Sequence, residues 1–266
     1  MKQLCCLAIG LVLLATPTFA ANSPPTIDGS AADTLYGTTA LAVQDTQTGF
    51  GDASLGRPDV CDGSELDGAY GVVYNGTLYL VLAGNFQTNG NWVEIFFDTR
   101  AGGQNRLLAT NPGPAGAELL RMSDDGSGNG LTFQTGFDAD FWVTAHAFGD
   151  PTVVTVHYAE LYVNAGNPGG YYNCGDGAPK CTTSGGALSG GDAGAPAILA
   201  TVDNSNIFGV TGGYGGGDGS GVITGFEFAI PLSAIGNPAG NFKITAFING
   251  QQHDMCPTRF WAASPA

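Results

Sequence analysis

The side chains in this sequence that could do chemistry are mainly acids at the ends of apolar runs. In GNWVEIFFDTRAGGQN, residues 90–105, apolar and polar positions alternate up to Asp98, and the chain then breaks into a turn rich in glycine and amides. Glu65 and Asp67 stand two apart in GSELDG, as do Asp138 and Asp140 in GFDADF, so each pair would share one face of an extended strand. A glycosidase needs two carboxyls opposed across a sugar at a set gap. With 23 acids in the chain, closeness in sequence singles out no such couple, and strand-end or solvated carboxylates are the commoner outcome. Calcium is a better use for them, because a hard cation takes six to eight oxygens from carboxylates, amides and backbone carbonyls. Asp98 with Asn105, and Glu65 with Asp67, are the candidate ligands of a structural calcium ion.

Other chemistries fit less well. DGSGNG, residues 125–130, matches the first half of an EF-hand loop, but Gly136 stands at the twelfth position, where a bidentate Glu is required, so a Gly/Asn-rich turn is expected instead. The stretch GGYGGGD, residues 212–218, is close to a calcium-binding nonapeptide repeat but occurs once, and such repeats work only as stacked arrays. Ser127 and Ser220 sit in glycine runs that are neither the G-x-S-x-G elbow nor followed by a helix. His146 and His157 fall mid-strand, and no Met/His pair is spaced for haem. No catalytic residue is assigned, so a hydrolase is kept only as a lesser alternative and no nucleotide or haem cofactor is expected.

Aromatic residues suggest binding. A flat ring stacks on a pyranose while its neighbours donate hydrogen bonds. Tyr171, Tyr172 and Tyr214 lie in glycine-rich stretches and Trp92 lies beside Glu94, which makes these four the candidate ligand-binding residues. Trp92 and Trp142 are nevertheless expected to be buried, since such strand tryptophans are more often core or inter-sheet residues. The net charge of −15 repels phosphate backbones and anionic lipid, which argues against nucleic-acid partners and electrostatic membrane docking.

The beginning of the chain reads as an export signal over residues 1–21: a short basic start, an apolar run from Leu4 to Ala15, and small residues up to Ala20 and Ala21. No stretch reaches the ~20 apolar residues of a spanning helix, so no membrane insertion is expected. Cys5 and Cys6 leave with the signal. The remaining four, Cys61, Cys174, Cys181 and Cys256, suit two disulfides in an oxidising compartment, with Cys174–Cys181 and Cys61–Cys256 the preferred of three pairings.

These groups must be positioned by strands. Short β-rich runs recur between turn signals, and long helical periodicity is scarce. Strands are expected at 38–44, 69–74, 77–83, 92–97, 141–147, 152–163, 197–202, 222–230 and 242–248. Asn75-Gly76 supplies the positive φ angles of a type I′ hairpin. Val93, Ile95 and Phe97 share one face opposite Glu94, and Phe226, Phe228 and Ile230 oppose Glu227, which implies two sheets packed face to face. One helical piece is expected at 115–122, a turn after Pro231, and long glycine-rich loops at 164–194 and 209–221. The expectation is an all-β fold, a single antiparallel sandwich of jelly-roll character over residues 22–266.

IDGSAADTLYG, GSELDGAYGVVYNGTLYLVLAGNF, EIFFDTRAGGQN, NGLTFQTGFDADFW and GFEFAIPLSAIG with KITAFING together resemble a family of secreted bacterial β-sandwich proteins whose members often carry a PEP-CTERM sorting tail. IDG and EFAIPLSAIG are more distantly similar to family-nine carbohydrate-binding modules and DOMON-like domains. The first resemblance implies a secreted sandwich and no particular activity, and the distant one implies a sandwich that binds sugars or, in some DOMON members, haem; the expectation is a non-catalytic module that binds extracellular glycan. A self-associating matrix or surface protein is the alternative. The chain closes on WAASPA without a sorting motif, so anchoring by that route is not expected.

Overall fold

A computed structural model describes residues 23–44, 63–114, 118–124, 126, 128–149, 152–161, 170–177, 186–206, 219–251 and 260–261. The strands are β1 (Ala42–Val43), β2 (Glu65–Tyr74), β3 (Thr77–Asn85), β4 (Asn89–Asp98), β5 (Phe141–Phe148), β6 (Val153–Glu160), β7 (Gly170–Gly177), β8 (Leu188–Ser189), β9 (Leu199–Val202), β10 (Gly225–Pro231), β11 (Lys243–Asn249) and β12 (Phe260–Trp261), with one short helix, α1 (Glu118–Arg121). They form two antiparallel sheets, a five-stranded one in the order β1-β2-β3-β10-β9 and a seven-stranded one in the order β12-β11-β4-β5-β6-β7-β8. The fold is the expected all-β sandwich.

Local sequence explains much of this. Asn75 and Gly76 both take positive φ, 48° and 76°, and close the β2–β3 hairpin with Tyr74 opposite Thr77, the type I′ geometry. The residues after Pro231 form a 3-10 turn, Leu232–Ile235, that ends on Gly236 in the left-handed region. Leu78, Leu80 and Leu82 of β3, Val93, Ile95 and Phe97 of β4, and Phe226, Phe228 and Ile230 of β10 meet in the core between the sheets.

The outer faces are covered as well. The described residues between 99 and 140 fold back over the seven-stranded sheet and bury Phe96, Trp142 and Phe247 beneath Leu107, Leu119, Phe133 and Phe137 in a second core. On the other side Ala31 and Tyr36 pack with Val222 over Tyr70, Val81 and Ala83 of the five-stranded sheet. The alternation in the sequence shows the inward faces; it does not show that the outward ones are buried too.

One expectation is corrected. The stretch 164–194 contains strand β7, paired antiparallel with β6, so Tyr171 and Tyr172 are strand residues and not loop residues. A bulge between Val156 and His157, together with flanking glycines, hides the pairing from a simple reading of alternation.

Candidate functional site

A cleft of about 390 Å³ opens where β6 and β7 face the approach to β9 and the 3-10 turn after β10. Its walls carry Tyr158, Glu160, Tyr172, Pro196, Pro231 and Ser233. Tyr172 is half-buried, packs against the main core, and stands 6.1 Å from the Tyr158 ring. Glycines flank its two edges: a Cβ at Gly170 would lie 3.0 Å from Cε2, and one at Gly194 would lie 3.8 Å from Cε1. The Gly194 side is held by reciprocal bonds between β7 and the next loop, Asn173 N to Asp192 Oδ2 at 2.8 Å and Asp192 N to Asn173 O at 2.8 Å. Tyr158 donates its hydroxyl to Ala234 O at 2.8 Å, which ties β6 to the 3-10 turn, and burial raises its pKa well above the ordinary phenol value.

Glu160 is the acid of this cleft. Arg100 donates from Nη1 to its Oε1 at 2.9 Å, and Arg100 Nε lies 3.4 Å from Asp140 Oδ1. The guanidinium also sits 4.7 Å from the Phe141 ring centroid, a cation–π contact. Asp140, fully buried, accepts from the backbone N–H of Thr99 and Arg100 at 2.8 and 2.9 Å. Burial pushes its carboxyl up, and these donors with the Arg100 charge pull against that rise. The chain Asp140–Arg100–Glu160 therefore fixes the Glu160 carboxylate at the end of β6.

Trp92 and Tyr171 lie elsewhere, on the outer face of the seven-stranded sheet. Trp92 is 7% exposed and stacks on His146, centroids 3.8 Å apart with planes 4° from parallel. Tyr171 donates its hydroxyl to Glu118 Oε2 at 2.8 Å, and its oxygen lies 3.0 Å from Nδ1 of His157. His157 Nδ1 stands 3.4 Å from the same Glu118 oxygen. Burial works against ionisation of Glu118, but the bonds from His157, its own backbone N–H and Tyr171 outweigh it and bring the carboxyl down to about 2. Trp92 and Trp142 are buried, as expected, and Trp142 donates from Nε1 to Glu94 at 2.8 Å. Tyr171 and Tyr172, adjacent in sequence, thus serve opposite faces of one sheet. Tyr214 lies outside the described residues.

The expected calcium ligands divide in the same way. Asp98 already faces a cation: Lys243 Nζ donates to its Oδ2 at 2.8 Å and also reaches Gly136 O. Asn105 spends its amide N–H groups on the carbonyls of Phe133, Gln134 and Phe137 at 3.3, 3.0 and 2.9 Å. Both residues pin the loop of residues 133–138 and bind it to the sheet. Glu65 and Asp67 are instead buried, at 1% and 0% exposure; Glu65 stands opposite Asn85 in the β2–β3 ladder, and Asp67 lies beside Asn206. Asn206 Nδ2 donates to Asn85 Oδ1 at 3.1 Å and lies 3.4 Å from Asp67 Oδ2. No group of three or more His, Cys, Asp or Glu that could hold a metal occurs among the described residues. The glycine-rich run after residue 124 closes as a turn on Asp124, whose Oδ1 accepts from Gly126 and Gly128 N–H at 2.9 and 2.8 Å.

Cys174 is a free thiol on the core-facing side of β7, so its expected pairing with Cys181 is not formed in this structure. Burial pushes that thiol up to about 12. Cys61, Cys181 and Cys256 lie outside the described residues.

Glu160 and Ser233 are cleft residues that the sequence reading passed over. One signal was available: Val154, Val156, Tyr158 and Glu160 share one face of β6, so an inward row ends on an acid. Among the described residues no helix is long and apolar enough to cross a membrane. No family model, curated protein or solved structure matches the chain.

Proposed function

We propose that this chain is an exported, non-catalytic β-sandwich module of the kind often found with PEP-CTERM sorting tails, and that it binds extracellular glycan in the cleft lined by Tyr172. The observation that carries the reading is the combination of a half-buried tyrosine ring between two glycines, a carboxylate fixed by Arg100, and the Ser233 hydroxyl on one concave surface. An aromatic face and converging polar groups are what a sugar ring needs, the face for its C–H side and the polar groups for its hydroxyls. Trp92 and Tyr171 do not support the same role, since both are engaged with histidines on the opposite face of the sheet.

Retention of the purified protein on a panel of insoluble polysaccharides tests the proposal, with Tyr172→Ala alongside. Retention of wild type on at least one polymer, lowered about tenfold or more in the variant, is the expected result. Absence of retention on every polymer would remove the reading.

A structural calcium ion is a second part of the reading, and only Glu65 with Asp67 supports it. Both carboxylates are buried, Glu65 opposite Asn85 across the β2–β3 ladder and Asp67 beside the Asn206 amide, and carboxylate and amide oxygens are donors of the kind a hard cation takes. Thermal unfolding with calcium and with a chelator tests this. A melting temperature that is the same under both conditions would contradict it.

A further inference from the structure

We infer that Gly170 is a specificity-determining residue of the cleft: a residue without a side chain opposite Glu160 lets the Tyr172 ring lie back along β7, so that ring and carboxylate meet one pyranose together. The inference rests on the reading of the cleft as a glycan site and adds how a sugar is seated there.

In the β6–β7 ladder Glu160 stands opposite Gly170 and Tyr158 opposite Tyr172. Gly170 and Tyr172 are two apart and share one face of the strand. The tyrosine leans toward the glycine: the place of a Cβ on Gly170 lies 3.0 Å from Cε2 and 3.6 Å from both Cζ and the hydroxyl oxygen. The hydroxyl end of the ring therefore reaches the rung of the ladder that carries Glu160. Opposite residues have their Cβ positions about 5 Å apart, so ring and acid stand side by side on the wall of the cleft. A larger residue at 170 would press its first carbon against the ring and lift it off the strand.

The backbone does not ask for glycine at this place. Gly170 is paired in the ladder and its φ lies outside the left-handed region, whereas Gly194, at the other edge of the ring, takes a φ of +88°. Glycine weakens a strand, and where it occurs it often marks the close approach of another group. Here that group is the Tyr172 ring. A ring laid along the strand offers its face to the C–H side of a pyranose, and the carboxylate beside it accepts from a hydroxyl of the same sugar. Arg100, donating to Glu160 at 2.9 Å, orients that acceptor.

Retention on insoluble amylose, cellulose, xylan and galactan tests this, with Gly170→Ala and Gly170→Val beside wild type, and with Gly240→Ala, a glycine that has open space around it, as the control. Wild type should be held by at least one polymer; Gly170→Val should lose about tenfold in affinity, Gly170→Ala less, and Gly240→Ala nothing. Both Gly170 variants should melt close to wild type, since a side chain suits a strand better than glycine does. The loss in Gly170→Ala combined with Glu160→Gln should be smaller than the product of the two single losses, because ring and acid hold the same sugar. Undiminished retention by Gly170→Val, losses that multiply, or a Gly170→Ala protein that no longer folds would overturn the inference and leave the glycan reading in place. Failure of wild type on all four polymers would overturn both.

Discussion

Each sheet buries a glutamate on its outer face, and the two are held by different means. Glu227 of β10 is fully buried under a strap of backbone: its Oε2 accepts from the N–H groups of Asp28, Gly29 and Ser30 at 2.7, 2.7 and 3.3 Å, and its Oε1 accepts from the Tyr36 hydroxyl at 2.7 Å. Glu94 of β4 is equally buried, but its partners include two side chains, Trp142 Nε1 at 2.8 Å and Asn249 Nδ2 at 3.4 Å. Around Glu94 the cover is an apolar core of its own, built on Phe96, Phe137, Trp142 and Phe247. Over the five-stranded sheet the cover is thin, and one carboxylate gathers four of its donors. Gly29 permits this close approach, with φ of +84° and room for no side chain, since a Cβ there would stand 2.7 Å from Asp203. One outer face is covered by many rings, the other by a few apolar side chains and a strap whose donors gather on one carboxylate.

Mutation can break that contrast. The largest effect should come from Phe96→Ala, which removes a fully buried ring packed 4.9 Å from Phe133 and 6.0 Å from Phe247 and should cost about 4 kcal/mol in urea unfolding. Glu227→Ala should cost about 3 kcal/mol, because it strands several buried donors at once. The two should also differ in kind. Hydrogen exchange should quicken first at residues 28–36 in the Glu227 variant, and across both sheets in the Phe96 variant. The same exchange pattern in both would mean that the covers are not distinct.

Acidity sharpens the comparison further, through Glu227 on the five-stranded sheet and Glu118 of α1, which covers the other sheet. Burial pushes Glu227 up to about 7 against the pull of the Tyr36 hydroxyl and the three N–H groups, so the folded state holds this proton more tightly than the unfolded chain, whose value is near 4.5. Its contribution to stability is full below about 4.5 and is lost as pH rises through about 7. Glu118, brought down to about 2, behaves in the opposite sense: its contribution is present above about 4.5 and is lost as pH falls toward 2. Melting across pH should show Glu227→Gln flattening the alkaline limb and Glu118→Gln flattening the acid limb. Exchanged assignments would contradict the hydrogen-bond geometry. The smallest effect, about 1 kcal/mol, is expected for Tyr171→Phe, which deletes one donor to Glu118.

Much of the architecture was legible from residue order. The Asn75-Gly76 turn and the rows of Leu78, Leu80 and Leu82 follow from local rules of turn chemistry and alternation, and the burial of Trp92 and Trp142 from their residue type. What escaped was set by distant parts of the chain. Glu227 reads as a solvent-facing acid in FEFAI until residues 28–36 are laid over it. Asp98 reads as a free strand-end acid until Lys243, its β11 neighbour, supplies the cation. Tyr172 was singled out by its glycine surroundings, yet its strand was hidden by the bulge in the β6–β7 pairing, and Glu160 gains a role only through Arg100 and Asp140 from another part of the sequence.

The most direct test of the cleft is an amide chemical-shift titration of the labelled protein with a soluble neutral oligosaccharide derived from a retained polymer. Saturable shifts centred on Glu160, Gly170, Tyr172, Gly194 and Ser233, and abolished in Tyr172→Ala, are the expected result. Shifts centred on Trp92 and His146 across the sheet, or no saturable shift at all, would contradict it.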